Sequence, residues 1–205
     1  MCSSDLSAPK DLRLSNRGAV PDVIWTLVTG NFEKLAEIQS IISFPIIHES
    51  CDLDEVQSLD LREIVKFKVR KAYEILHKPV MVEDVGLHLE GYGGFPGPLV
   101  RWILKASGSS ALCRMADGCG NRVARATCIV GATEGSTTLL AEGTVRGTVT
   151  ENPRGKNAFG WDDIFIPENS IHTYAEIPRE KKNSDSHRTR AWRTMETMLR
   201  DRGMV

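Results

Sequence analysis

The sequence predicts an α/β protein built on a mixed central β-sheet flanked by helices. Three observations carry that reading. A short, apolar, β-branched run near residue 25 passes through a turn straight into an amphipathic segment, and a second amphipathic segment ends at Pro79 before another apolar run. Between residues 125 and 149 the chain alternates in the manner of strands broken by glycine. Strand-to-helix order early and hairpins late bring parallel and antiparallel strands into one sheet.

The elements follow in order. Val23-Ile24-Trp25-Thr26-Leu27-Val28 reads as a buried strand, ended by the turn residues Thr29-Gly30-Asn31. Leu35, Ile38 and Ile41-Ile42 then recur at helical spacing with Asn31 as N-cap. An irregular acidic segment, Asp52 to Asp60, leads to a second helix on Leu61, Val65, Ala72 and Leu76. That helix must stop before Pro79, because the residue ahead of a proline is forced out of the helical region. Val80-Met81-Val82 is another buried strand, with Glu83-Asp84 expected at its C-terminal end. Gly91 to Pro98 is expected to hold no regular structure, and Leu99 to Leu104 to begin a short helix. Arg125 to Val130, Thr137 to Ala141 and Thr144 to Val149 are expected as antiparallel strands separated by glycine turns. The Asn152-Pro153-Arg154-Gly155 loop precedes a strand through Ile164-Phe165-Ile166. A final helix is expected from about Asp185 to Arg200, with Ala191, Trp192, Met195, Met198 and Leu199 on its apolar side.

Composition narrows the class. Twenty-six basic and 27 acidic residues among 205 leave a net charge of -1, which argues against a dedicated duplex-binding surface. The segment Arg179 to Arg202 is nonetheless locally cationic, with eight Lys or Arg against four Asp or Glu, and suits an anion. Five cysteines without a C-x-x-C pair indicate neither a disulfide framework nor a cysteine zinc site. No run approaches eighteen apolar residues, so a soluble, cytoplasmic protein without membrane attachment is expected. Residues 1–22 read as a flexible extension and 23–205 as a single domain.

Chemistry concentrates at a few places. Phe159-Gly160-Trp161-Asp162, Tyr174-Ala175-Glu176 and Lys182-Asn183-Ser184-Asp185-Ser186-His187-Arg188 combine aromatic surface, hydrogen-bonding groups and cations. A purine triphosphate needs all three, since rings stack on a base, His and Arg donate to a ring oxygen, and Lys with helix-terminal amides holds phosphates. Lys34 lies in the opening turn of the first helix, where the helix dipole disfavours a cation by roughly 0.3–1 kcal/mol. An anion is therefore expected beside free amides there, although no G-x-x-x-x-G-K-[ST] motif occurs. Lys182, Ser186, His187 and Arg188 repeat the anomaly at the final helix. Adjacent side chains on a strand face opposite ways, so one of Glu83 and Asp84 enters a given site. Carboxylate ligands favour Mg²⁺ or Mn²⁺, with Asp52, Asp54, Glu55 or Asp60 available as the second acid. Each feature taken singly has a blander reading: a solvated lysine at a common turn, exposed strand-end acids, or aromatics serving as core.

Taken in order, these segments resemble the inosine triphosphate pyrophosphatase family from about Val23 to Leu199. The motifs are Thr29-Gly30-Asn31 with Lys34, Val82-Glu83-Asp84, Gly93-Gly94-Phe95-Pro96-Gly97-Pro98 with Trp102, Pro153-Arg154-Gly155, Phe159-Gly160-Trp161-Asp162, Thr173-Tyr174-Ala175-Glu176, and Lys182-Asn183 with Ser186-His187-Arg188. The resemblance implies hydrolysis of ITP, dITP and XTP to the monophosphate and pyrophosphate. It also implies a divalent cation, Mg²⁺ with Mn²⁺ as a substitute, and a homodimer of chains with two lobes and a cleft between them. By matching position, Thr29, Asn31, Lys34, Lys68 and Lys182 would serve the phosphates, and Glu55 and Asp84 the metal. Phe159 would stack on the base, with Gly160, Trp161, Asp162, Ser186, His187 and Arg188 around it. Catalysis would rest on Asp84, Glu55 and Lys34. The chain departs from the family at Val85, where Thr or Ser is usual, at Asp163, where Pro is usual, and at Arg101, where Lys is common.

Two rival readings stand beside this one. One is a related house-cleaning pyrophosphatase for other modified nucleoside triphosphates. The other is a non-catalytic nucleotide- or RNA-binding protein using the cationic tail; its paired carboxylates oppose this, because they repel phosphate unless a metal intervenes.

Overall fold

The computed structural model describes residues 23–156 and 159–205; the expected extension 1–22 lies outside the described residues. Strands β1 (Trp25–Val28), β2 (Ile46–Glu49) and β3 (Val80–Leu89) are parallel, with β1 in the middle. Strands β5 (Val123–Thr133), β6 (Thr138–Val149) and β7 (Phe165–Pro167) extend the sheet antiparallel beyond β3, and the two-residue β4 (Pro96–Gly97) pairs with β3 off the main path. The order β2-β1-β3-β5-β6-β7 makes an open mixed sheet, as expected. Helices α1 (Phe32–Ile41), α2 (Leu61–Leu76), α3 (Val100–Ser107), α4 (Ser110–Cys119), α5 (Arg179–Ser184) and α6 (His187–Arg200) flank it.

The two early helices form for the reasons their sequences give. Asn31 and Asp60 cap α1 and α2 with their side chains, and α2 buries Leu61, Val65, Val69 and Ala72 along one stripe. It packs on one face of the sheet against Val80, Val82 and Ile129. The other face holds Trp25, Leu27 and Met81 under Ile38 of α1 and Trp192, Met195 and Leu199 of α6. Farther along β3, Leu87 and Leu89 join a separate core with Leu112, Ala116, Trp161, Phe165 and Tyr174. Glu83 and Val85 therefore occupy the seam between two cores, on the same face of β3 as Met81 and Leu87.

Several boundaries differ from expectation. Glu83 and Asp84 are not at the end of β3, because pairing with β5 continues from Val80↔Thr133 to Leu89↔Ala124. They lie instead just past the end of β1, whose last partner on β3 is Met81. The glycine at 143 is not a turn: the two expected strands around it are one strand, β6. A Cβ at Gly143 would stand 2.2 Å from the His187 carbonyl oxygen and 2.3 Å from the Ala191 nitrogen, so glycine there admits α6 against the sheet. Gly91 to Pro98 is not wholly irregular, since a 3₁₀ turn ends at Tyr92 and β4 follows. The final helix begins at His187, and Lys182 belongs to the separate short helix α5.

Candidate active site

Where β1 ends, Thr29 Oγ1 accepts from the Asn31 amide at 3.1 Å. The His48 ring nitrogen Nε2 donates to the Thr29 carbonyl at 2.7 Å. The Asn31 side-chain oxygen accepts from the amides of Glu33 and Lys34, both at 3.0 Å. The amides expected to be free at this helix start are thus partly occupied by the chain's own cap. Lys34 leans inward, its Nζ 3.5 Å from Glu83 Oε1.

From Lys34 a chain of alternating charges runs through the seam. The Arg188 guanidinium grips Glu83 through Nε at 3.0 and 3.1 Å and through Nη2 at 3.0 Å. Arg188 Nη1 also binds Glu37 on α1. Glu37 in turn accepts from Lys182 Nζ at 2.9 Å, and Lys182 reaches Asp162 Oδ2 at 2.5 Å. The sequence of groups is Lys34, Glu83, Arg188, Glu37, Lys182, Asp162, three cations alternating with three anions. Unpaired, each buried ion would cost several kcal/mol; alternation lets every one keep an opposite neighbour.

Burial opposes ionisation of Glu83, yet the Arg188 and Lys34 charges outweigh it and hold the carboxyl below its usual range. Glu37 is lowered likewise, burial being overcome by Arg188 and Lys182. At Asp162 the balance tips the other way, and burial exceeds the pull of Lys182, raising its pKa to about 6. Burial, with Arg188 and Lys182 close by, pushes His187 well below the ordinary imidazole value. The ring is thereby held neutral, and its Nδ1 is buried without a protein partner among the described residues.

On the opposite face of β3, Asp84 meets α2. Lys68 Nζ lies 3.2 Å from Asp84 Oδ2 and 3.0 Å from Glu55 Oε1, and Arg101 Nη1 reaches the other Glu55 oxygen at 3.0 Å. Burial alone would lower the Lys68 pKa, but Asp84 and Glu55 raise it, so the ammonium persists. Both carboxylates converge on one ammonium, and their oxygens are the ligand type that a hard divalent ion takes. Among the described residues no cluster of three or more His, Cys, Asp or Glu occurs, so such an ion would draw its other ligands from substrate and water.

The predicted residues fall into two neighbouring sets. Lys34, Asp162, Lys182 and Arg188 meet in the charge chain, with the Phe159 ring 5.7 Å from both Lys182 Nζ and the Arg188 guanidinium carbon. Asp84, Glu55 and Lys68 form the second set on the other face. Gly160 supplies a positive φ of 65° between Phe159 and Trp161. Trp161 is buried in the adjoining core, its ring centroid 5.1 Å from that of His187. The Ser186 hydroxyl caps α6 by accepting from the Thr189 amide at 3.1 Å. Of the departures, Arg101 holds Glu55, Val85 packs on the α1/α6 core, and Asp163 accepts from Ser109 Oγ at 2.7 Å.

Sequence reasoning missed Glu37, Trp192 and Cys128. Trp192 Nε1 donates to Glu83 Oε2 at 2.8 Å, and the Cys128 thiol, kept protonated by burial and by Glu83, lies 3.6 Å from the same oxygen. Glu37, a carboxylate beside Ile38 on the buried side of α1, carried a readable signal. Trp192 carried none, because its spacing suits a core residue.

The Ham1 family model matches residues 25–198. An inosine triphosphate pyrophosphatase of Schizosaccharomyces pombe is 42% identical over 165 residues, covering 78% of this chain and 87% of that protein. A dITP/XTP pyrophosphatase of Methanopyrus kandleri is 40% identical over 167 residues, covering 80% of this chain and 89% of its own length. Among solved structures, a HAM1 protein from Coxiella burnetii superposes with a TM-score of 0.77 at 26% identity, covering 87% of this chain and 99% of that one.

Proposed function

The chain belongs to the Ham1 family, and on that premise we propose that it hydrolyses non-standard purine nucleoside triphosphates, ITP, dITP and XTP, to the monophosphate and pyrophosphate. The observation that carries the reading is the unbroken charge chain from Lys34 to Asp162. It links a helix start suited to phosphates with a loop where Phe159 faces Lys182 and Arg188.

Glu55 and Asp84 would hold Mg²⁺, or Mn²⁺ in its place. When bound, the ion neutralises phosphate charge and lowers the pKa of a coordinated water. Lys68 and Lys182 exchange carboxylate partners for phosphate oxygens, while Lys34 turns its remaining N–H groups to phosphate and keeps Glu83, with Thr29 and Asn31 shaping the loop beneath. Attack of water on the α-phosphorus expels pyrophosphate, whose growing charge these lysines offset, and no covalent nucleophile is needed. Phe159 stacks on the base, with Gly160 giving its loop the required turn and Trp161 and Ser186 supporting the wall.

Base choice follows from hydrogen-bond polarity. Arg188 and neutral His187 offer donors to a 6-oxo group, and ionised Asp162 accepts from the ring N1–H that accompanies it. Adenine reverses both polarities, a mismatch that discriminates by roughly 10⁴-fold where the partners are buried. Residues 23–205 act as one catalytic unit, as a cytoplasmic homodimer that does not bind nucleic acid. The described residues contain no helix long and apolar enough to cross a membrane.

Incubation with ITP and Mg²⁺ tests the reading through its products. IMP with pyrophosphate is expected; IDP with orthophosphate, or no turnover, overturns it.

A further inference from the structure

Glu83 stands apart from the other acids of the site. Among the described residues it is the carboxylate that touches both Lys34, at the phosphate end of the charge chain, and Arg188, at the base end. Its side chain is 1% exposed, and both of its oxygens are engaged. Oε1 takes Lys34, Arg188 Nε and Arg188 Nη2, while Oε2 takes Arg188 Nε at 3.1 Å and Trp192 Nε1 at 2.8 Å. Trp192 is fully buried, one helical turn after Arg188 on α6. A single helix thus presents both a charged fork and a neutral donor to one carboxylate, which itself stands on the rigid middle of β3.

We propose that Glu83 is a positioning residue that couples recognition of the base to placement of the phosphates, with Trp192 as the clamp that fixes its orientation. This rests on the reading of the site as a triphosphate pocket. A carboxylate shared by two cations cannot tighten on one without loosening on the other, because its lone pairs and charge are divided between them. When Arg188 turns part of its donor set to a 6-oxo base, Glu83 gains hold on Lys34 and sets where that ammonium stands. A base that leaves Arg188 unengaged leaves Glu83 on the guanidinium and Lys34 less constrained. Selectivity then appears in turnover as well as in binding, since the lysine reaches its working place only when the right base is present.

The coupling is testable with an anion that has no base. Inorganic tripolyphosphate, titrated calorimetrically with Mg²⁺, reports the phosphate end alone. Arg188→Lys, a change at the base end, should shift the tripolyphosphate dissociation constant about fivefold in the Glu83 protein and leave it unchanged within error in a Glu83→Gln background. Glu83→Gln should also lower the ITP-over-ATP ratio of kcat/KM by about tenfold or more, mainly through kcat. Because Glu83→Gln can unfold a tightly charged core, Trp192→Phe provides a second arm that removes one hydrogen bond without changing charge. It should move both readouts the same way by about threefold. An Arg188→Lys effect on tripolyphosphate that is absent, or that persists undiminished with Gln at 83, overturns the proposal. So does a Trp192→Phe variant that is less stable but unchanged in both readouts. Failure of the wild type to hydrolyse ITP while it still binds tripolyphosphate would instead overturn the triphosphatase reading and leave the coupling measurement standing.

Discussion

Asp162→Asn should make the protein more stable and less active, and the size of the gain can be worked from the site. The Asp162 side chain is 6% exposed, and burial holds its pKa at about 6 against an ordinary 3.8, despite Lys182 at 2.5 Å. Between those two values the folded protein retains a proton that the unfolded chain has released, so stability declines as pH rises through that window. At about 1.4 kcal/mol for each pH unit separating them, ionised Asp162 costs about 3 kcal/mol at pH 7.5 and about half that at pH 5. Asparagine keeps the shape and cannot ionise. Urea denaturation should therefore find the variant more stable by up to about 3 kcal/mol at pH 7.5, the gap narrowing toward pH 5. Glu37 and Glu83 titrate in both proteins and largely cancel from the difference. The same substitution should erase an acid limb near pH 6 in kcat/KM for ITP, because Asp162 must be ionised to accept from the base. A variant less stable than wild type at pH 7.5, or a difference independent of pH, refutes the reasoning.

Three further outcomes follow from the same geometry. Asp84→Asn should lower ITP turnover by roughly 10²–10³-fold with an unchanged circular dichroism spectrum, near-normal turnover removing Asp84 from the metal set. Lys68→Met deprives Glu55 and Asp84 of the cation they share, so Mn²⁺ titrated without nucleotide should bind roughly tenfold tighter while the KM for ITP rises. Gly143→Ala places a methyl against the first turn of α6 and should cost roughly 2–3 kcal/mol in denaturant unfolding, with weaker discrimination of ITP from ATP.

The fold was legible wherever periodicity and punctuation agreed. Asn31 reads as a cap four residues ahead of Leu35 and Asp60 closes the irregular segment directly before Leu61, and α1 and α2 begin immediately after these two residues. Gly143 misled because glycine in a strand serves two purposes, turning the chain or admitting a neighbour, and the neighbour α6 is more than forty residues away. Glu83 and Asp84 were legible as opposed in direction, yet not in position, since strand length in β3 is set by its partner β5. Lys34 and Arg188 could be singled out because a cation at a helix start breaks a local electrostatic rule; Lys68 came only through the family resemblance, and Lys182, expected just ahead of the final helix, stands in the last turn of α5. Glu37 breaks no such rule, its one signal being a place beside Ile38 on the buried side of α1, and Trp192 is apolar in every pattern. Their roles come from side chains that meet only after α1, α6 and β3 have packed together.

The cationic tail, finally, separates the two functional classes. As a sequence its eight basic residues suit a polyanion, but in the folded chain half of them already face a carboxylate. Lys182 and Arg188 lie in the buried charge chain. Arg190 is held by Asp185 at 2.8 Å and Arg200 by Glu196 at 2.6 Å. Arg193 and Arg202 donate to the carbonyls of Ser184 and Met198 at 3.1 and 2.8 Å. Carbonyl contacts cancel no charge, so with Arg179 and Lys181 four tail cations face no carboxylate in the contacts described. Four phosphates neutralised on a single strand correspond to a slope of about -2.8 in log affinity against log salt. A twenty-nucleotide RNA should show no steeper dependence and no micromolar binding at 0.15 M salt. ITP gripped in the seam should be hydrolysed over the same salt range, because buried pairs are screened far less than exposed ones. Steep, tight RNA binding without turnover would return the tail to the surface role its composition first suggested.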